Sequence, residues 1–323
     1  MMMRDGGNEA LALREGPNCR PGPGEVAIEV KAAGVNFMDI GVRDGRFLRE
    51  IPNPKTLGVE GAGVVRALGQ GVTRVSLGQR VAWAFVPGSY ADWICAPEDA
   101  LVPIPEGVSD QEAASIMMQG LTASHFATEF YPVQPGDIAL IHAAAGGVGT
   151  LLTQIVRIRG GTVIGRVSSP GKVAVAQDSG ADDIIVDNTG SFAKRVLELT
   201  EGRGVDVVFD GSGAETFADS LASLKNGGTL CWYGTALDGL RHIDLVTLPH
   251  SVKIGYAVFL DHIRTWELLQ QRSKQLFQWV IDGRLRVHVG QIYPLDDAGD
   301  ALAQLEARRT TGKVLLLPGF PAD

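Results

Sequence analysis

The sequence predicts an α/β protein, with a doubly wound parallel sheet joined to a mostly β unit built as a partly open barrel. Three observations carry this. Apolar strand-like runs alternate with helical segments from about residue 107 to 257. Short strands separated by glycine turns fill the first hundred or so residues, and a glycine-rich turn joins a strand to an apolar helix within 138–156. A chain of 323 residues accommodates two such units, each with its own core.

The β unit comes first. Pro21-Gly22-Pro23-Gly24 is a loop, and Glu25 to Val30 follows with Val26, Ile28 and Val30 alternating as in a half-buried strand. Gly61 to Leu68 and Arg80 to Phe85 repeat the pattern, with a turn at Gly78. The opening strand is weakly written, since residues 1–13 offer only Ala10 to Leu13. In the middle of the chain, strands are expected at Ile138 to His142, Thr162 to Val167, Asp183 to Val186, Val205 to Phe209 and Thr229 to Tyr233. Their spacing leaves room for crossover helices, as a parallel sheet requires. A helix is then expected over Thr265 to Asp282, followed by strand-like runs at Arg286 to Ile292 and Lys313 to Leu317 that return to the first unit. The expected domains are 1–120 together with 258–323, and 121–257.

Composition narrows the function. Hydrophobic residues make up 45% and charged residues 20%, a globular balance. The net charge of -8 and the lack of a long Lys/Arg run argue against a nucleic-acid partner. Ile138 to Val156 runs 19 residues without a formal charge, but Gly146, Gly147, Gly149 and His142 fit a strand, turn and buried helix better than a membrane span. The first residues lack an apolar signal core. Cys19, Cys95 and Cys231 stand isolated, so neither a metal knuckle nor a disulfide framework is expected, and a reducing cytoplasm is the expected compartment.

The central motif is Ile138-Ala139-Leu140-Ile141-His142 followed by Ala143-Ala144-Ala145-Gly146-Gly147-Val148-Gly149. Against G-x-G-x-x-G, Ala144 takes the first position, Gly146 the second and Gly149 the third. The second glycine lets a pyrophosphate approach the backbone. The third lets helix and strand pack closely, and free amides at the helix start face the anion. Sites built for NAD usually place a carboxylate at the end of the next strand, about 20 residues on. Here that region reads Gly165-Arg166-Val167-Ser168-Ser169-Pro170-Gly171-Lys172. Two hydroxyls and two cations suit a 2′-phosphate, which makes NADPH the expected cofactor. Arg166 and Lys172 also fit as solvated surface charges. Gly211 and Gly234 follow later strands and fit either as cofactor contacts or as plain turns.

At this point the chain resembles the quinone oxidoreductase branch of the medium-chain dehydrogenase/reductase superfamily, the branch that includes zeta-crystallin. The resemblance runs from about Pro21 to Pro318. It rests on Ala32 to Asp39, Gly58 to Gly63, Gly88-Ser89-Tyr90-Ala91, Gly120-Leu121-Thr122 and His142 to Gly149, in that order. It implies a GroES-like barrel formed by both ends of the chain, a Rossmann domain, an active site in the cleft between them, and a homodimer. Zinc-dependent relatives carry a cysteine where this chain has Asn36 and a histidine where it has Val59, so no metal is expected. Without that Lewis acid a conjugated acceptor is easier to reduce than an alcohol is to oxidise.

Carried over by position, Asn36 would donate its amide to a developing oxyanion and Thr122 would hold the nicotinamide or its ribose. Ser168, Ser169 and Lys172 would hold the adenosine phosphate, and Phe259 would line the nicotinamide pocket. Asn36 also fits as the cap of a helix starting near Phe37. Departures fall at Gly41 and Phe47, where relatives often carry tyrosines, and at Asp187, which replaces a tyrosine beside the phosphate. The expected function is therefore NADPH-dependent transfer of hydride, or of single electrons, to a quinone or related conjugated carbonyl. Reduction of the double bond of an enone or 2-alkenal is the alternative, and a non-catalytic NADPH-binding sensor or structural protein the alternative from another class.

Overall fold

The computed structural model describes residues 2–3, 11–15, 19–47, 56–233 and 242–319. In chain order the first strands are β1 (Met2–Met3), β2 (Leu11–Ala12), β3 (Glu25–Val35), β4 (Glu60–Leu68), β5 (Arg80–Ala84), β6 (Trp93–Pro97) and β7 (Leu101–Pro103). Next come β8 (Ile138–Ile141), β9 (Thr162–Val167), β10 (Asp183–Val186), β11 (Val205–Asp210), β12 (Leu224–Trp232) and β13 (Lys253–Tyr256). β14 (Val289–Pro294) and β15 (Lys313–Leu317) close the series. The helices are α1 (Phe37–Arg43), α2 (Asp110–His125), α3 (Gly147–Ile158), α4 (Val173–Asp178), α5 (Ala193–Leu199), α6 (Phe217–Ala222), α7 (Trp266–Ile281) and α8 (Ala298–Glu306).

The chain divides into two compact units. The first comprises residues 1–119, 265–283 and 287–323, and the second comprises 120–264 and 284–286. The second unit thus retains 258–264, which sequence assigns to the first.

In the first unit a seven-stranded sheet runs β14-β15-β3-β4-β5-β7, with β6 added on β3. β3 is the hinge of this arrangement. It is long enough to pair antiparallel with β4, β6 and β15, so the last strand among the described residues closes on one of the first. Its alternating Val26, Ile28 and Val30 enter a core with Val65, Val81, Trp83, Ile94 and Leu316. Cys19 and Cys95 form a disulfide, with Cα atoms 5.8 Å apart. This corrects the expectation of isolated cysteines and removes their support for a reducing compartment. Spacing along the chain carries no signal for partners 76 residues apart.

The second unit holds a six-stranded sheet of order β10-β9-β8-β11-β12-β13, every neighbouring pair parallel. The order reverses at β8, where a doubly wound sheet opens its ligand crevice. Strands buried on both faces read as continuous apolar runs, and β11 is buried at all six residues. Among the described residues no helix is long and apolar enough to cross a membrane.

Candidate functional site

The glycine turn stands where β8 delivers it. Ala143 adopts φ +48°, a left-handed conformation unusual outside glycine, and Gly146 N–H closes the turn on the Ala143 carbonyl at 2.8 Å. Gly146 is the N-cap of α3 and has no side chain with which to cap it. The first-turn amides of Gly147, Val148 and Gly149 therefore lack a capping side chain. Gly146, Gly147 and Val148 remain partly open to solvent, whereas Gly149 is buried. A Cβ at Gly149 would collide with the Ala143 carbonyl and lie 2.7 Å from Ala144 Cα, so only glycine lets α3 sit this close. Ala144 is buried, and its amide donates to the Arg166 carbonyl at 3.0 Å. It contributes packing under the turn and has no amide left for an anion. The remaining open amides and the helix dipole form an anion cradle that fits a diphosphate.

At the ends of β9 and β10 the Arg166 guanidinium and the Asp187 carboxylate neutralise each other. Arg166 Nε and Nη2 bond Asp187 Oδ2 at 2.9 and 2.7 Å, and the guanidinium lies 5.0 Å over the Phe192 ring. Asp187 also accepts from Thr189 and Gly190. These hydrogen bonds hold its carboxyl well below the usual range in spite of burial. Arg166 is thus a buried ion-pair partner and no longer a free cation for a phosphate. Ser168 and Gly171 are exposed, and Ser169 and Lys172 half-buried, on the loop that follows. His142 is fully buried, its Nε2 3.0 Å from Ser220 Oγ, which donates to Asp210 at 2.7 Å. Burial pushes this imidazole down to about 4, as befits a packed residue.

Thr122 lies half-buried on α2 and Phe259 half-buried on a 3₁₀ turn, Phe259–Ile263. Gly211 follows β11, and a Cβ there would run into the Tyr233 ring, with Cζ at 2.7 Å. Its φ is not positive, so glycine is needed here for space and not for turn geometry. Gly234 lies outside the described residues.

In the first unit the structure gathers a buried polar cluster around Asn36. Its Nδ2 donates to the Gly34 carbonyl at 3.1 Å and to Glu60 Oε2 at 3.0 Å. Its Oδ1 accepts from Gln119 Nε2 at 2.6 Å and from Lys313 Nζ at 3.1 Å. The Lys313 ammonium also reaches Glu60 Oε2 at 2.6 Å and Gln119 Oε1 at 2.8 Å. Asn36 occupies the N-cap position of α1 in a capping box with Asp39, whose carboxylate accepts from the Asn36 N–H at 2.8 Å. Tyr90 donates to the same Asp39 oxygen at 2.8 Å. Burial nevertheless raises the Asp39 carboxyl to about 7 and Tyr90 well above its ordinary value, and it lowers Lys313.

Sequence reasoning singled out Asn36, and Asp39, Glu60 and Tyr90 fall within the stretches that carry the resemblance, but Lys313 and Gln119 were missed. The available signals were a lysine opening the apolar run Val314 to Leu317, and a glutamine just before Gly120-Leu121-Thr122. A Cβ at Gly41 would overlap the Phe47 ring, so the positions where relatives carry tyrosines here form an apolar contact.

Comparison with known proteins agrees with both units. Residues 22–106 match the alcohol dehydrogenase GroES-like domain and residues 179–316 the zinc-binding dehydrogenase family. A quinone oxidoreductase of Pseudomonas aeruginosa is 38% identical over 97% of each chain. The chain belongs to the quinone oxidoreductase family. A 2-haloacrylate reductase from a Burkholderia species is 34% identical, covering 98% of this chain and 97% of its own. Among solved structures, a mycobacterial protein complexed with NADPH superposes with a TM-score of 0.92 at 39% identity, covering 98% of this chain and all of its own. The family resemblance carries the GroES-like and Rossmann assignments with it.

Proposed function

We propose that this protein reduces a quinone or related conjugated carbonyl with NADPH and without zinc. It is an NADPH-dependent oxidoreductase by family, and the observation that carries the cofactor reading is the uncapped start of α3 beneath the Ala143 turn. NADPH supplies the hydride. The open amides of Gly147 and Val148 are assigned to the diphosphate, with Gly149 allowing the close packing beneath them, while Ser168, Ser169 and Lys172 are assigned to the 2′-phosphate. Pairing with Arg166 keeps Asp187 from repelling that phosphate. Thr122 and Phe259 are assigned to the nicotinamide end, and Gly211 to close approach of the cofactor.

The residues around Asn36 do not fit zinc. Val59 is apolar and buried, Asn36 offers an amide, and a cation already stands beside Glu60 in the form of the Lys313 ammonium. A metal there would face that ammonium across one carboxylate. In the reaction Asn36 would exchange its 3.1 Å bond to the Gly34 carbonyl for the acceptor's oxygen, with the Lys313 charge held behind it.

A second reading is supported by the 2-haloacrylate reductase relative, whose name denotes reduction of an activated double bond. Product analysis separates the two: NADPH oxidation with a panel of quinones and enones yields either hydroquinone or saturated carbonyl. No oxidation with any of them, in a protein that still binds NADPH, sinks both readings and leaves a sensor or structural role. Self-association is assigned to the β13 end of the six-stranded sheet, where Tyr256, Val258 and Leu260 are exposed. Light scattering of the Tyr256→Asp variant, expected to be monomeric, tests it.

A further inference from the structure

His125 ends α2, Glu129 follows on the π-helical turn Phe126–Phe130, and His262 lies on the 3₁₀ turn Phe259–Ile263. The π turn is closed by Tyr131 N–H on the Phe126 carbonyl at 3.0 Å. Such single widened turns recur at functional sites. Here the turn and the 3₁₀ segment converge three side chains. Glu129 Oε2 lies 2.8 Å from His262 Nδ1 and 3.7 Å from His125 Nδ1, and the two imidazole centroids are 5.4 Å apart.

One ligand atom from each of the three side chains falls within 4.8 Å of the others. A tetrahedral zinc-type ion with bonds of about 2.0–2.1 Å to imidazole holds its ligand atoms about 3.3 Å apart, so small side-chain shifts bring all three to one centre. Two further observations point inward. His125 is 7% exposed, and its Nδ1 is buried with no hydrogen-bond partner. His262 is 1% exposed, and its Nε2 stands 3.2 Å from Ser124 Oγ. Without a metal, Nδ1–H faces the Glu129 carboxylate; a metal ion taking the Nδ1 lone pair leaves the ring proton on Nε2, where it donates to Ser124 Oγ, the support that metal-binding histidines commonly have. Thr128 Oγ1 in turn donates to the Ser124 carbonyl at 2.7 Å. Glu129 is exposed and leaves a route from solvent.

We propose that His125, Glu129 and His262 bind a divalent transition-metal ion of the zinc class through Nδ1, Oε2 and Nδ1, leaving a fourth position open toward solvent. The chemistry is two neutral imidazoles and one carboxylate, which suits zinc, cobalt or nickel and disfavours magnesium or calcium. The site uses neither Asn36 nor Val59, the positions at which zinc-dependent relatives carry ligands.

The test is titration of the chelator-treated full chain with Zn²⁺ by calorimetry and with Co²⁺ by visible absorption. One ion per chain and the intense bands of low-coordinate cobalt are expected. Glu129→Gln and His125→Asn should each weaken zinc binding at least about tenfold and quench those bands. Glu129→Gln changes an exposed side chain, so it reports even if His125→Asn unfolds, and thermal melts confirm the fold of each. Equal zinc affinity in the original chain and in folded Glu129→Gln, or weak cobalt bands of six-coordinate type, overturns the proposal.

Discussion

Lys313 Nζ lies 2.6 Å from Glu60 Oε2, and the two side chains are 2% and 0% exposed. Removing either partner strands the other as a buried charge, a loss of about 3–5 kcal/mol in comparable cases. Lys313→Met is therefore expected to lower unfolding free energy by about that amount in urea. Lys313→Met with Glu60→Gln should recover much of it. A single variant as stable as the parent removes the case for a tight buried pair.

Asp39 gives a pH dependence. Its carboxyl titrates near 7 in the folded chain, chiefly through burial, against about 3.9 when unfolded. Between those values the unfolded chain has released a proton that the folded chain keeps, so stability falls as pH rises and levels off above 7. The contribution is on the order of 4 kcal/mol. Chemical denaturation from pH 4.5 to 8 should show this slope and Asp39→Asn should flatten it; an unchanged slope in the variant assigns the effect elsewhere.

Cofactor choice rests on the loop after β9. Lys172→Ala should raise KM for NADPH roughly tenfold, about 1.4 kcal/mol, and leave NADH kinetics nearly unchanged. Arg166→Ala should behave differently. It breaks the pair with Asp187 and is expected to lower the melting temperature more than it changes the NADPH/NADH ratio. Equal loss with both cofactors in Lys172→Ala places the 2′-phosphate elsewhere.

Gly149→Ala tests the turn. Alanine is the better helix former by about 1 kcal/mol, so propensity alone predicts a gain. Its Cβ would overlap the Ala143 carbonyl, a backbone atom, and that outweighs propensity. Fluorescence titration should show NADPH binding weakened by about tenfold or more, with a lower melting temperature. Unchanged affinity would mean that the turn does not hold the diphosphate.

The parallel strands were legible because burial on both faces writes them as apolar runs. Thr162–Val167 is such a run and matches residue for residue; the more exposed Asp183–Val186, and Lys313–Leu317 of the other sheet, match as well. β12 extends back to Leu224, ahead of the expected start at Thr229. β6 and β7 each end on a proline, which favours edges and turns, and β13 is four residues with a glycine inside. The turn at Gly146 was legible because strand, glycines and helix are contiguous. The Asn36 cluster was not, because Glu60 and Lys313 meet across 253 residues of chain and through the pairing of β15 with β3. Arg166 was misread as a free cation, since its partner is brought alongside only by the pairing of β10 with β9.

That pairing of β15 with β3 also sets an order of completion during synthesis. Glu60 emerges from the ribosome early, and the ammonium that makes its burial tolerable arrives only with one of the last strands. Until then the amino-terminal β layer has reason to stay loose, with water still around its carboxylate. A nascent chain halted before Lys313 would keep Asn36 and Glu60 hydrated and unassembled, and the buried cluster would set only once β15 pairs with β3.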